Sequence, residues 1–212
     1  QQVICNPGNP VARLDLSTVP SPYLTGLMDP FLQDMRLAPI VETNRGCPYS
    51  CTFCCWGQAM QSKINQFPLE TVFDEIRYAA GNTKNPTGFF YVADGNFGIV
   101  KRDFEIARVL QECSDTYGVP KRVFLYFAKN TNDSVIKIAE TLKAVTSMSM
   151  SKQTLNQEVL DNIKRKNITP ENYDRLRVEC QKRDIETFCE LIYGLAGETY
   201  DSFIEGVIQT VR

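Results

Sequence analysis

The chain has 212 residues, 43% of them hydrophobic and 23% charged, which is ordinary for a globular domain and enough to bury one good core. Its formal net charge of −2 excludes the cationic footprint of a nucleic-acid binder or a polybasic membrane surface. It contains 8 cysteines and no histidine, which removes the commonest companion of cysteine at zinc sites.

Residues 1–38 read as a leader that connects domains. The turn signals Asn6-Pro7-Gly8-Asn9-Pro10 and Pro20-Ser21-Pro22 punctuate it, and a short helix over about 24–35 is expected to break at Pro30. Gln1-Gln2-Val3 shows no basic-then-apolar signal pattern, and the longest apolar runs are strand-sized, so no membrane-spanning helix is expected. The chain lacks an initiating Met and stops at Thr210-Val211-Arg212 within a helical pattern. Residues 39–212 therefore read as a C-terminally truncated core.

Pro39-Ile40-Val41 can feed a first strand, over 39–42, into a loop carrying Cys47, Cys51 and Cys54 at C-x3-C-x2-C spacing. Three thiolates within eight residues can converge on one metal centre, and an open ligand position is what makes such a centre catalytic. Three readings compete: an iron–sulfur site, zinc, and buried unliganded thiols. Structural zinc wants four protein ligands, usually as two separated pairs. Cys55 is poorly placed to share an ion with Cys54, while Cys5, Cys113, Cys180 and Cys189 are too scattered for a disulfide framework. An oxygen-sensitive thiol set points to the reducing cytosol, so a cytoplasmic location is expected.

Five strand–helix units follow. A helix over 69–80 is framed by Pro68 before it and Gly81 after it. Residues 88–94 form an apolar run ending in Asp94, the pattern of a buried parallel strand with function at its carboxyl end, followed by a loop at Gly95-Asn96-Phe97-Gly98. A helix over 103–117 turns Phe104, Ile106, Ala107, Val109 and Leu110 inward. The third strand spans 123–128, with Lys129-Asn130-Thr131-Asn132 at its end and a helix starting at Asn132 or Asp133. The fourth spans 144–151 and leads to a helix containing Val159, Leu160 and Ile163. Thr169 and Pro170 open the next helix, which runs to about Arg183. The fifth strand spans 186–193; after a Gly-rich turn a last helix starts at Tyr200 or Asp201. That turn exposes backbone N–H groups to a ligand, but it is no Walker or dinucleotide fingerprint. The spacing is too long and regular for a sandwich and calls for a parallel α/β sheet with crossover helices.

The run Glu42-x-x-Arg45-Gly46-Cys47-Pro48-x-x-Cys51-x-Phe53-Cys54 resembles the signature of the radical S-adenosylmethionine enzymes. That resemblance implies a partial TIM-type (β/α)6 barrel with about five β/α units visible here and the sixth strand missing. It implies that Cys47, Cys51 and Cys54 hold a [4Fe-4S] cluster whose open iron is chelated by the amino and carboxylate groups of S-adenosylmethionine. Phe53 would shield the cluster, Trp56 and Ile192 would meet adenine, and Asp94 with Gly95 would receive the amino group. Ser151 and Gln153 would contact the carboxylate or ribose, Arg165 would reach the carboxylate, and Gly194 would allow close approach. The chain departs from the family at Asp94-Gly95-Asn96, where Gly-Gly-Glu is commoner, and at Ala196, where proline is usual.

The implied chemistry is reductive cleavage of S-adenosylmethionine to a 5′-deoxyadenosyl radical that acts on a small-molecule substrate, with flavodoxin or ferredoxin as electron donor. The stretch from Leu16 to Tyr23, the Asp94 loop and Lys164-Arg165-Lys166 resemble the branch that carries an N-terminal cobalamin-binding domain. Its activities include methylation and ring formation, and cobalamin would sit in a domain absent from this chain. A methylthiotransferase is the close alternative. An iron–sulfur electron carrier or structural protein without turnover is the alternative from another class. No nucleic-acid partner is evident.

Overall fold

The computed structural model describes residues 15–54, 56, 63–128, 133–144 and 147–211. Five parallel strands carry the architecture: β1 (Ile40–Val41), β4 (Phe89–Phe97), β5 (Arg122–Phe127), β6 (Ser147–Ser149) and β7 (Glu186–Phe188). They form two sheets, ordered β1-β4-β5 and β6-β7. The Val123 N–H donates to the Ala144 carbonyl at 2.9 Å, joining β5 to the segment that enters β6. A small antiparallel pair, β2 (Asn44–Arg45) with β3 (Asn65–Gln66), flanks the cysteine loop.

Helices alternate with these strands: α1 (Asp29–Leu32), α2 (Leu69–Asn82), α3 (Asp103–Tyr117), α4 (Asp133–Thr141), α5 (Gln157–Asn162), α6 (Pro170–Gln181) and α7 (Tyr200–Val211). The expected parallel α/β organisation is therefore present. β4 sorts its side chains by parity: Phe90, Val92 and Asp94 are buried, while Tyr91, Ala93 and Gly95 are half-buried. The buried face meets α2 through Val72 and Ile76, and α3 through Ile106 and Leu110, in one apolar cluster. Each such fully buried side chain contributes about 1.5–3 kcal/mol.

Several boundaries differ from the sequence reading. Pro30 lies in the first turn of α1 and starts that helix instead of breaking a longer one, because its fixed φ and missing N–H suit a helix start. Gly81 lies inside α2, whose cap is Thr83, and a Cβ there would stand 3.7 Å from the Tyr117 ring, ordinary contact. β4 continues through Asp94, Gly95 and Asn96 to Phe97, so the expected loop is strand. Its register against β5 jumps between Val92 and Phe97, a bulge that interrupts the ladder near the strand's end. Phe104 is 38% exposed, off the stripe of Ile106, Ala107 and Leu110. β6 and β7 are only three residues each, shorter than the apolar runs around them, and an isolated bridge from Gln153 to Leu191 extends their pairing. Lys129–Asn132 and Cys55 lie outside the described residues.

The leader is docked, not loose, where it is described. Tyr23 is buried, and its hydroxyl donates to the Ile40 carbonyl at 2.7 Å and accepts from the Ile40 N–H at 3.1 Å. One side chain thereby satisfies both main-chain groups on the open edge of β1. Gly98, at φ +93°, is held close to α4: a Cβ there would stand 2.7 Å from Val135 Cγ2.

Asp103 opens α3 from a fully buried position. Its Oδ2 accepts from the N–H groups of Gly98 at 2.7 Å and Val100 at 3.1 Å, tying the end of β4 to the helix, while Oδ1 has no partner among the described residues. Burial pushes this carboxyl up to about 6 against those two donors. A folded-state value above the ordinary 3.8 means that the stability it contributes is complete below 3.8 and is lost as pH rises through about 6. The stability of the wild-type protein relative to Asp103→Asn should therefore fall by about 2–3 kcal/mol between pH 3.5 and pH 7. Urea unfolding of both proteins across that range is the measurement.

Candidate active site

The cysteine loop leaves β1 and is anchored at its first residues by a buried carboxylate. Asp94 Oδ1 accepts from the Thr43 N–H at 2.7 Å and the Asn44 N–H at 3.3 Å. Its Oδ2 accepts from Asn44 Nδ2 at 2.8 Å and from the Thr43 hydroxyl in a short hydrogen bond. Burial raises the Asp94 carboxyl above its ordinary value, and these donors oppose the shift. Arg102 clamps the same segment from α3: Nη2 donates to the Thr43 carbonyl and Nη1 to the Phe67 carbonyl, both at 2.6 Å. Arg45 is occupied outside the site, donating to Glu42 Oε2 at 2.7 Å with its guanidinium 5.3 Å from the centre of the Phe67 ring.

Beyond this anchor the three cysteines are free thiols; Cys47 and Cys51 are buried and Cys54 is half-buried. Asn96 Nδ2 donates to Cys47 Sγ at 3.2 Å, and Asn96 Oδ1 is buried without a partner among the described residues. The Thr52 N–H donates to the Ile163 carbonyl at 3.0 Å, and the Cys54 N–H to the Cys51 carbonyl at 3.2 Å. Cys47 and Cys54 open into a hollow of about 270 Å³ whose walls include Trp56, Tyr91, Gly95 and Tyr126. A second hollow of about 180 Å³ lies between Gly95 and Tyr126 on one side and Ser151, Gln153, Ile168 and Glu190 on the other. Gly95 and Tyr126 belong to both, so the two are adjoining chambers. A Cβ on Gly95 would stand 3.3 Å from Trp56 Cε3, so a larger residue there would press on the Trp56 ring.

The expected site residues thus divide. Gly95, Trp56, Ser151 and Gln153 meet around the chambers. Gln153 holds φ +68°, its N–H donates to the Glu190 carbonyl at 2.9 Å, and its carbonyl accepts from the Ile192 N–H at 2.7 Å. Ser151 Oγ donates to Glu190 Oε2 at 2.5 Å. Phe53 lies in the turn before Cys54 and is 36% exposed. Ile192 packs on Val159, Leu160, Ile163 and Leu195 in a second apolar cluster, and Gly194, at φ +83°, has open space where a Cβ would be.

Two residues stand elsewhere than expected. Asp94 shares the parity of Phe90 and Val92, so its carboxylate is turned to Thr43 and Asn44 and away from the chambers. Arg165, expected to reach the carboxylate, is only 5% exposed and lines a separate hollow of about 230 Å³ with Tyr49, Cys51, Lys164 and Lys166. Asn96, Tyr126 and Glu190 also line the chambers, where the sequence reading did not place them. The available signal was position: each polar group sits at or just past the carboxyl end of a parallel strand.

A cubane takes each thiolate on a separate iron, and the three free thiols, with the Asn96 amide N–H donated to Cys47, suit that group.

Residues 41–207 match the model of the radical SAM superfamily. The chain is 40% identical over 210 residues to 2-(S-pantetheinyl)-carbapenam-3-carboxylate methyltransferase of Streptantibioticus cattleyicolor, covering 95% of this chain and 30% of that protein. It is 40% identical over 200 residues to the cobalamin-dependent radical SAM methyltransferase TokK of Streptomyces tokunonensis, covering 91% and 29%. The chain therefore spans under a third of the length of these relatives. The structure of the radical S-adenosylmethionine methyltransferase TsrM from Kitasatospora setae, with cobalamin and a [4Fe-4S] cluster bound, superposes with a TM-score of 0.67 at 22% identity, covering 82% of this chain and 32% of that one.

Asparagine at position 94 keeps one acceptor where four donor contacts converge. Asp94→Asn should cost about 2–4 kcal/mol in unfolding free energy by leaving buried donors unmet, read as a lowered urea midpoint.

Proposed function

The chain belongs to the radical SAM superfamily, and from that premise we propose that it is the S-adenosylmethionine-cleaving core of a cobalamin-dependent methyltransferase. The observation that carries this reading is the pair of adjoining chambers, one opening on Cys47 and Cys54 and the other on Ser151, Gln153 and Glu190. Cys47, Cys51 and Cys54 would hold a [4Fe-4S] cluster, and S-adenosylmethionine would extend past Gly95 into the second chamber. When bound, these groups supply a one-electron reductive cleavage that yields a 5′-deoxyadenosyl radical.

The protein's own part is placement and exclusion of water. Asn96 orients Cys47 through its amide N–H. Glu190 fixes the Ser151 hydroxyl, and the strained backbone at Gln153 presents that side chain to the chamber. Tyr91, Trp56 and Tyr126 give the first chamber a mostly apolar wall, which strengthens electrostatic contacts inside it. Asp94 and Arg102 hold the loop so that the thiols return to one place.

The substrate is assigned to the class named for the 40% identical relative, a small bicyclic carboxylate of the carbapenam kind. Cobalamin is assigned to the part of those relatives that this chain does not align with, and no residue here is given to it. Residues 1–38 serve as the connector toward that part and 39–212 as the core. A low-potential flavodoxin or ferredoxin in the cytoplasm is the proposed electron source.

Anaerobic iron–sulfur reconstitution tests the assignment. Cys47→Ala, Cys51→Ala and Cys54→Ala should each lose bound iron and visible absorption, whereas Cys55→Ala should keep both. A full cubane in any of the first three would sink the ligand set. Reduced wild-type protein should form 5′-deoxyadenosine, and a cluster that cycles without forming it would make this an electron carrier.

Gln153→Gly separates binding from folding, because glycine accepts the positive φ while removing the amide. That variant should keep its iron and bind S-adenosylmethionine about 3–10-fold more weakly in equilibrium titration, the worth of one lost hydrogen bond.

A further inference from the structure

Among the described residues Arg165 is a buried cation without a carboxylate partner. Its Nη2 donates to the Ser151 carbonyl at 2.6 Å and its Nε to Asn167 Oδ1 at 3.2 Å, while Nη1 is buried and has no hydrogen-bond partner among the described residues. The side chain is 5% exposed and shares its hollow with Cys51, on a side of the loop that neither chamber reaches. A buried cation is retained when an anion faces it. Here the group across the hollow is Cys51, which would bring the matching negative charge as a thiolate bound to metal.

We propose that Arg165 is a positioning residue that raises the reduction potential of the cluster through Cys51, by aiming its unpaired Nη1 at that ligand. The inference rests on Cys47, Cys51 and Cys54 holding a cluster. Reduction adds one negative charge to the cluster, and potentials of iron–sulfur centres rise with hydrogen bonds to sulfur and with nearby positive charge. Among the described residues the other two thiols show no such cation: Cys47 receives a neutral amide N–H from Asn96, and no Lys or Arg lines the chamber that Cys47 and Cys54 share. Lys164 and Lys166 border the same hollow as Arg165 but are exposed, so water screens their charge. Arg165 also fixes the Ser151 carbonyl at the edge of the second chamber. One side chain therefore shares a hollow with a cluster ligand and holds the strand end that lines the cofactor chamber.

The test is a redox titration of the anaerobically reconstituted holoprotein, followed by EPR, with iron counted in every sample. Arg165→Met should keep its iron and shift the ratio of reduced to oxidised cluster about tenfold toward oxidised at a fixed poise, equivalent to about 59 mV for one electron. Arg165→Lys keeps the charge but loses the fork that aims Nη1, and should shift the ratio about threefold in the same direction. Lys166→Met removes the same charge from an exposed position and should leave the ratio unchanged. A wild-type ratio in Arg165→Lys overturns the proposal, even where Arg165→Met assembles no cluster. An equal shift in Lys166→Met also overturns it, because the effect would then be net charge alone. Failure of the wild-type protein to bind iron would overturn the cluster assignment itself, a different result from a loaded variant at an unchanged potential.

Discussion

Four donor contacts converge on the buried Asp94 carboxylate, and the placement of the cysteine loop depends on them. A carboxylate removed from water costs several kcal/mol unless its lone pairs are met, and here the loop's own first residues meet them. The strand and the loop are therefore mutually necessary. Asp94 is tolerable in the core only because Thr43 and Asn44 face it, and the chain leaving β1 can turn at Thr43 only because Asp94 receives its main-chain N–H. Arg102 completes the arrangement by taking the Thr43 carbonyl, so both backbone groups of that residue are spoken for.

The parity of β4 carries this constraint into the chemistry. Alternation sends Asp94 to the helix side with Phe90 and Val92, and Gly95 to the open side with Tyr91 and Ala93. Unbroken alternation would also send Asn96 to the helix side. The register jump before Phe97 brings it to the chamber instead, where its amide meets Cys47. A single strand end thus supplies the buried anchor for the loop, the glycine that joins the chambers, and a donor to one ligand.

Much of this was legible in the sequence, for identifiable reasons. α3 and α6 were readable to the residue or nearly so, because Thr169-Pro170 is a strong start signal and the stripe of Ile106, Ala107 and Leu110 has a clear helical period. The three cysteines were readable because their spacing is local. What spacing cannot carry is parity across a bulge: the run from Asp94 to Gly98 looks like a turn, since Gly and Asn favour turns, and its pairing with β5 is a non-local fact. The burial of Arg165 was not legible for a similar reason. Between Lys164 and Lys166 it looks like one of three solvated charges, and only the seat beneath Ser151 and Cys51 distinguishes it.

The sheet is unevenly built, and that unevenness falls across the site. β4 has nine residues, whereas β6 and β7 have three each. Opening is cheapest where few main-chain hydrogen bonds and few buried contacts must break. The Cys47 side of the site, resting on β4 and the Asp94 anchor, is accordingly stiff. The Ser151 and Gln153 side rests on the short strands and on the separate apolar cluster of Val159, Leu160, Ile163 and Leu195. The cysteine loop touches both, through Asp94 on one side and through the Thr52 N–H to the Ile163 carbonyl on the other. A ligand spanning the two chambers would bind the softer half to the stiff one, so the free energy of ordering that half is drawn from the cofactor's own binding and the ligand loop itself need not move.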